Sequence, residues 1–154
     1  MNVSIIGTGY VGLVTGAALA HAGHRVVCVG RNRDKVGSIN AGKAPFFESG
    51  FDALLRRVIA QKKLTASTDF TSSVVKSDIT IIAVGTPTVD GAIDLAQVKE
   101  AVRLIGESLT RKSSYHVIAV KSTVVPGTTE SVVWPILIDA SGKSAKEMGV
   151  CMNP

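Results

Sequence analysis

Val3–Gly12 reads VSIIGTGYVG, and this stretch decides the fold that the sequence predicts. The short apolar run VSII stops at a glycine pattern, Gly7-Thr8-Gly9-Tyr10-Val11-Gly12, and the helix-like segment LVTGAALAHAG follows it. A strand, a tight glycine turn and a helix in this order are the context in which G-x-G-x-x-G predicts a dinucleotide site.

Each glycine of this motif has a predicted role. Gly7 permits the tight turn, Gly9 lets the backbone approach a pyrophosphate, and Gly12 lets the helix pack closely on its strand. The first turn of the helix offers unpaired N–H groups and a positive dipole end to phosphates. The alternative is a glycine turn that binds nothing, and the strand and helix around the motif disfavour it.

The second predicted strand ends without the acidic residue that an NAD site needs. His24–Val29 reads HRVVCV, and Gly30-Arg31-Asn32-Arg33 follows. An NAD-binding unit places Asp or Glu here, about 20 residues past the glycines, to hold the ribose 2′-hydroxyl. Gly30 would leave room for a 2′-phosphate, and the guanidinium groups of Arg31 and Arg33 could bind it. NADP is therefore favoured, while NAD binding, impaired binding and merely solvated arginines stay open.

Bulk composition limits the class of protein. The chain has 154 residues, 45% of them hydrophobic and 19% charged, which fits one globular domain over residues 1–154. The net charge of +5 comes from scattered Lys and Arg with only 5% aromatic residues. We therefore expect an ordinary basic surface that suits small anionic ligands, with no nucleic acid as partner. No apolar run approaches 18 residues, so we expect no membrane partner and a cytoplasmic location.

The two cysteines predict neither a disulfide framework nor a metal site. Cys28 and Cys151 both lie in apolar, strand-like runs, without metal-ligand spacing and without a nearby histidine. We expect buried free thiols in a reducing compartment, and no bound metal.

Strands and helices alternate along the rest of the chain. This alternation predicts an α/β fold, a doubly wound parallel sheet (Rossmann fold) of about six strands, with ligands at the carboxyl ends of the strands. The predicted later strands are 64–67, 78–84, 115–120 and 149–152. The predicted later helices are 35–40, 51–62, 70–76, 95–109 and 129–139, with Pro135 disturbing the last one.

Polar residues follow the fourth and fifth predicted strands. Gly85-Thr86-Pro87-Thr88 is followed by a predicted turn at Asp90-Gly91, and Lys121-Ser122-Thr123 follows the next strand. Threonine hydroxyls can donate and accept, so they suit a ribose, a phosphate or an amide. Each threonine alone would be more typical of a turn or cap, but all of them converge on one edge of the sheet.

The chain resembles the UDP-glucose/GDP-mannose dehydrogenase family along its whole length. Five segments carry the resemblance in the family's order: GTGYVGL, VVCV, AGKAPFFE, VGTPTVDGAIDL and KSTVVPGTT. The resemblance implies that Tyr10, Val11, Lys35, Thr86 and Thr123 line the dinucleotide, and that Glu48 lies in a loop near it. It also implies that Thr123 lies near the reacting sugar carbon, where it helps to handle a catalytic water.

Gly30 departs from the family's acidic residue and puts its usual NAD preference in doubt. The resemblance implies oxidation of a sugar C6 alcohol to a carboxylate by two hydride transfers, with a nucleotide sugar as substrate. The family's catalytic cysteine, its central helical domain and its carboxy-terminal domain lie beyond residue 154. We therefore expect this chain alone to be inactive. Family members dimerise chiefly through the central domain, which leaves this chain able to be a monomer.

Two other interpretations remain open. One is an NADP-linked β-hydroxyacid dehydrogenase domain, which also carries Asn-Arg after its second strand; the KSTVVPGTT and GTPTVDGAIDL segments argue against it. The other is a stand-alone dinucleotide-binding module without catalysis.

Overall fold

A six-stranded parallel sheet forms the centre of the protein in the computed structural model, which describes residues 1–154. The strands of this sheet are β1 (Asn2–Ile6), β2 (Arg25–Val29), β3 (Leu64–Ser67), β4 (Ile79–Ile82), β7 (His116–Val120) and β8 (Met148–Met152). Their order across the sheet is β3-β2-β1-β4-β7-β8, so the chain starts in the middle and runs first to one edge and then to the other. The predicted doubly wound sheet of about six strands is confirmed.

Helices cover the two faces of the sheet. They are α1 (Tyr10–His21), α2 (Arg33–Asn40), α3 (Phe51–Ala60), α4 (Phe70–Val75), α5 (Ala96–Leu109) and α6 (Trp134–Ser141). Alternate residues of one strand serve opposite faces: Ile5 packs with Leu13 and Leu55, whereas Ile6 packs in the cluster that contains Val102. Because both faces are buried, the strands read as nearly continuous apolar runs, as a parallel sheet requires.

The last helix begins irregularly, at the place where Pro135 predicts a disturbance. A π-helical segment, Thr129–Val133, precedes α6, and Pro135 occupies the first turn of α6. Proline has no N–H to donate, so the regular bonding pattern cannot run through this point. The predicted 129–139 helix is therefore two helical segments, and its end lies at Ser141.

A short hairpin lies between β4 and α5. Its strands, β5 (Thr88–Val89) and β6 (Ala92–Ile93), pair antiparallel, and Asp90 and Gly91 join them with φ of 50° and 78°. Two positive φ values in a row are typical of the tight turns that suit hairpins, so the predicted turn is confirmed. None of the helices is long and apolar enough to cross a membrane.

The two cysteines have different environments. Cys28 is fully buried in β2, and burial raises the pKa of its thiol to about 12. Cys151 is exposed, because it lies near the carboxyl end of the edge strand β8, where burial falls away. The expectation of buried thiols is confirmed for Cys28 and wrong for Cys151.

Candidate functional site: a cleft at the carboxyl ends of the strands

The motif glycines form a tight connection between β1 and α1. Gly7 has a φ of 121°, and a side chain there would meet the carbonyl oxygen of Ala83 at 2.3 Å. A Cβ at Gly12 would lie 2.2 Å from the carbonyl oxygen of Gly7, so the helix packs against the turn with no space left. Gly9 has nothing within 4 Å of a Cβ position, so the space in front of it is open.

A cleft of about 450 Å³ opens at this turn. It lies where the strand order reverses, between β1 and β4, which is the position at which doubly wound sheets bind their ligands. The walls come from the segments that follow β1, β2, β3 and β4 and from α5. The residues include Gly7, Thr8, Gly9, Gly30, Arg31, Asn32, Lys35, Gly85, Gln97 and Glu100.

The predicted site residues divide into two groups. Gly7, Gly9, Gly30, Arg31 and Lys35 line the cleft. Outside its lining are Gly12, which packs behind the turn, the exposed Tyr10, Val11 and Thr123, the half-buried Thr86, and Arg33. Arg33 is exposed as the first residue of α2, while its neighbour Asn32 caps that helix by accepting a bond from the Lys35 N–H at 2.9 Å.

Gly30 lines the open cleft, and the side chain of Thr8 lies directly beside it. A Cβ at position 30 would lie 2.8 Å from both Oγ1 and Cγ2 of Thr8. A side chain at position 30 would therefore require Thr8 to move. This arrangement depends on how Thr8 packs across the turn, which the sequence motif alone does not reveal.

An ion pair accompanies the arginine that follows β2. Arg31 Nη1 donates to Oε2 of Glu100 at 3.3 Å, and the two side chains are 79% and 50% exposed. Glu100 lies on α5, so the pair joins two walls of the cleft. Sequence reasoning missed Glu100 because its helix follows the hairpin and carries no motif of its own.

Tyr10 connects the glycine turn to the loop 42–50. Its hydroxyl donates to Oε2 of Glu48 at 2.9 Å, and its ring centroid lies 4.9 Å from that of Phe46. The hydrogen bond to the Glu48 carboxylate, and the nearby negative charge, raise the pKa of the Tyr10 phenol. Glu48 thus lies beside the start of α1.

The carboxyl ends of β4 and β7 are joined by a side-chain contact. Ser122 Oγ donates to the Val84 carbonyl at 2.8 Å, which holds the segment containing Thr123 against the end of β4. Thr128 closes the following turn by donating to the Val125 carbonyl at 2.7 Å. No group of three or more His, Cys, Asp or Glu side chains is arranged to hold a metal ion.

Comparison with known proteins places this architecture in one family. Residues 1–154 match the model of the UDP-glucose/GDP-mannose dehydrogenase family, NAD binding domain. The chain is 42% identical to a GDP-mannose 6-dehydrogenase of Pseudomonas aeruginosa, over 100% of this chain and 36% of that protein. It is 44% identical to a UDP-glucose 6-dehydrogenase of Haloferax volcanii, with the same two coverages.

Solved structures agree with the sequence relatives. A crystal structure of a GDP-mannose dehydrogenase ternary complex from Pseudomonas aeruginosa superimposes with a TM-score of 0.97 at 41% identity, covering 100% of this chain and 36% of that one. A UDP-glucose dehydrogenase from Pyrobaculum islandicum gives 0.93 at 37% identity, covering 99% and 35%. The chain thus spans about a third of the length of these relatives. It belongs to the UDP-glucose/GDP-mannose dehydrogenase family, as its NAD-binding domain.

Proposed function

We propose that the cleft holds the dinucleotide of a sugar-nucleotide 6-dehydrogenase, and that NADP is preferred over NAD. The observation that carries the proposal is the open space in front of Gly9, at the start of α1 and at the switch point of the sheet. A pyrophosphate placed there would meet backbone N–H groups and the positive end of a helix dipole. The residues present therefore fit a dinucleotide.

When bound, the nicotinamide would accept hydride from the sugar carbon. The chain's own residues bind and orient the cofactor. Gly9 leaves room for the pyrophosphate, and Arg31 and Lys35 add positive charge on one wall of the cleft. Thr86 and Thr123 follow β4 and β7 at the same edge of the sheet, where hydroxyls can orient an amide or a water. Thr123 is exposed, which fits a position beside a substrate.

The NADP preference rests on charge near the end of β2. Gly30 contributes no carboxylate that would repel a 2′-phosphate, and Arg31 lies next to it on the cleft wall. A charge-assisted hydrogen bond contributes about 1.5–3 kcal/mol. Glu100 already pairs with Arg31, so we expect only the lower part of that range, about tenfold in affinity.

Side-by-side calorimetric titrations of NADP and NAD at one ionic strength test the proposal. We expect both to bind and NADP to bind more tightly. Arg31→Ala should lower the affinity for NADP far more than the affinity for NAD. Arg33→Ala, which changes an arginine outside the cleft lining, is the matched control and should change neither. Equal affinities for the unmodified chain would refute the preference, and no binding of either would refute the cofactor site.

The substrate is proposed to be a nucleotide sugar, oxidised at C6 from an alcohol to a carboxylate by the complete enzyme. The relatives include both GDP-mannose and UDP-glucose 6-dehydrogenases, at nearly equal identity to this chain. The family match over residues 1–154 argues against the β-hydroxyacid dehydrogenase alternative.

A further inference from the structure

Thr8 is exceptional among the buried polar residues of the protein. Ten polar residues are buried, and Thr8 alone among them has no hydrogen-bond partner for its side chain. Only 8% of the residue is exposed. Yet no fully enclosed side-chain N or O atom in the chain lacks a partner, so the Thr8 hydroxyl must open onto space. Thr8 lines the cleft, which is the open space beside this residue.

The position of this hydroxyl is informative. Thr8 Oγ1 lies 2.8 Å from the Cβ position of residue 30, at the end of β2. In NAD-binding sheets, the acidic side chain rooted at that point holds the 2′-hydroxyl of the adenosine ribose. Here residue 30 is a glycine, and the unpartnered hydroxyl of Thr8 lies beside the position where the acidic side chain would begin.

We infer that Thr8 Oγ1 is the protein's contact for the 2′ position of the adenosine ribose, in place of the missing carboxylate. The inference rests on the proposed cofactor site. A hydroxyl can both donate and accept, whereas an ionised carboxylate only accepts. Thr8 can therefore serve a ribose 2′-hydroxyl or a 2′-phosphate oxygen without charge repulsion, and Arg31 supplies the charge that a phosphate needs.

The test combines a change in the protein with the matching change in the ligand. ADP and 2′-deoxy-ADP are titrated calorimetrically against the unmodified chain, Thr8→Val and Thr8→Ser. Val keeps the shape of Thr without the hydroxyl, and Ser keeps the hydroxyl. We expect Thr8→Val to lower the affinity for ADP by about threefold to tenfold, which corresponds to the loss of one neutral hydrogen bond. The same variant should leave the affinity for 2′-deoxy-ADP unchanged. Thr8→Ser should bind ADP with about the affinity of the unmodified chain.

Each other outcome counts against the inference in a distinguishable way. If Thr8→Val lowers the affinities for ADP and 2′-deoxy-ADP equally, the side chain shapes the turn and does not contact the 2′ position. If it weakens neither ligand, the hydroxyl makes no contact with the nucleotide. If the unmodified chain binds no ADP, the proposed cofactor site is refuted and this inference with it. Thermal unfolding of each variant checks that the glycine turn is intact.

Discussion

Oγ1 of Thr80 lies 2.8 Å from Nε2 of His116, and together they join two strands in the interior of the sheet. Ser4 extends the connection to β1, since its Oγ lies 2.7 Å from Thr80 Oγ1. On its other side, His116 Nδ1 lies 3.1 Å from the Ser77 carbonyl, which can only accept. Nδ1 therefore carries the proton, and Nε2 accepts from Thr80. With a neutral ring, each side chain in this buried series of hydrogen bonds has a partner.

This arrangement predicts an acid-sensitive fold. Burial, and next the charge of Lys112, lower the pKa of His116 to about 4, against the opposing effects of the Ser77 carbonyl and Asp78. The unfolded chain, with an ordinary histidine pKa of about 6.5, binds more protons between these values. The contribution of neutral His116 to the free energy of unfolding is therefore fully present above pH 6.5. It is lost as the pH falls towards 4, by about 3 kcal/mol in all.

Urea unfolding at several pH values between 4 and 7 measures this slope. His116→Gln removes the titrating ring and should flatten that part of the profile, at some cost in stability. His21→Gln, at the exposed end of α1, is the matched control and should keep the slope. An unchanged slope in His116→Gln would show that other groups carry the pH dependence.

A second prediction separates binding from folding at the glycine turn. Gly9 has φ −77° and ψ −174°, a conformation open to any residue, and nothing lies within 4 Å of its Cβ position. Gly9→Val should therefore fold normally and lose dinucleotide binding, because its side chain takes the place of the pyrophosphate.

Titration with NADP and circular dichroism measure the two effects. Gly12→Ala is the contrasting variant: its Cβ would meet the Gly7 carbonyl oxygen at 2.2 Å, so it should destabilise the fold itself. Undiminished affinity in Gly9→Val would show that the phosphates bind elsewhere.

Much of this architecture was predictable because it depends on local patterns. Apolar runs, several of them ended by a glycine, predicted the sheet strands, and Asp90-Gly91 predicted the turn of the hairpin. Other features depend on contacts between distant segments. The position of Thr8 beside Gly30 depends on the strand order, and the pairing of Arg31 with Glu100 depends on the packing of α5. Cys151 was predicted wrongly, because an apolar strand pattern does not distinguish an edge strand.

The third prediction concerns catalysis by the 154-residue chain. The family resemblance implies a cysteine nucleophile that lies beyond residue 154, and neither thiol here matches its motif or its place in the sequence. Cys28 is enclosed, and its raised pKa keeps it protonated. Cys151 is exposed on β8, opposite Ala119 of β7, and its sequence surroundings do not match the family's cysteine motif.

We therefore expect no formation of uronic acid from UDP-glucose or GDP-mannose with either cofactor. A steady-state assay of reduced cofactor, with product analysis, checks this result. Turnover by the purified chain would contradict it, and loss of that turnover in Cys151→Ser would identify the exposed thiol as the nucleophile.

The last prediction concerns the carboxylate that pairs with Arg31. The side chains of Arg31 and Glu100 are both exposed, so the ion pair is weak and contributes about 1 kcal/mol at most. A 2′-phosphate that binds Arg31 must nevertheless displace or approach the Glu100 charge. Glu100→Gln removes that charge and frees the guanidinium. The variant should bind adenosine 2′,5′-bisphosphate up to about fivefold more tightly, while ADP, which lacks the 2′-phosphate, changes less.

Glu107→Gln provides the matched control, since Glu107 lies on the same helix and pairs with Arg103 outside the cleft. It should leave both affinities unchanged. The gain in Glu100→Gln should shrink as salt is raised, because charges near the surface are screened within about 10 Å at 0.1 M ionic strength. Equal gains for the two ligands would point to a general effect of cleft charge. A weaker affinity for the bisphosphate would mean that Glu100 holds Arg31 in the orientation that binds the phosphate, the opposite of competition.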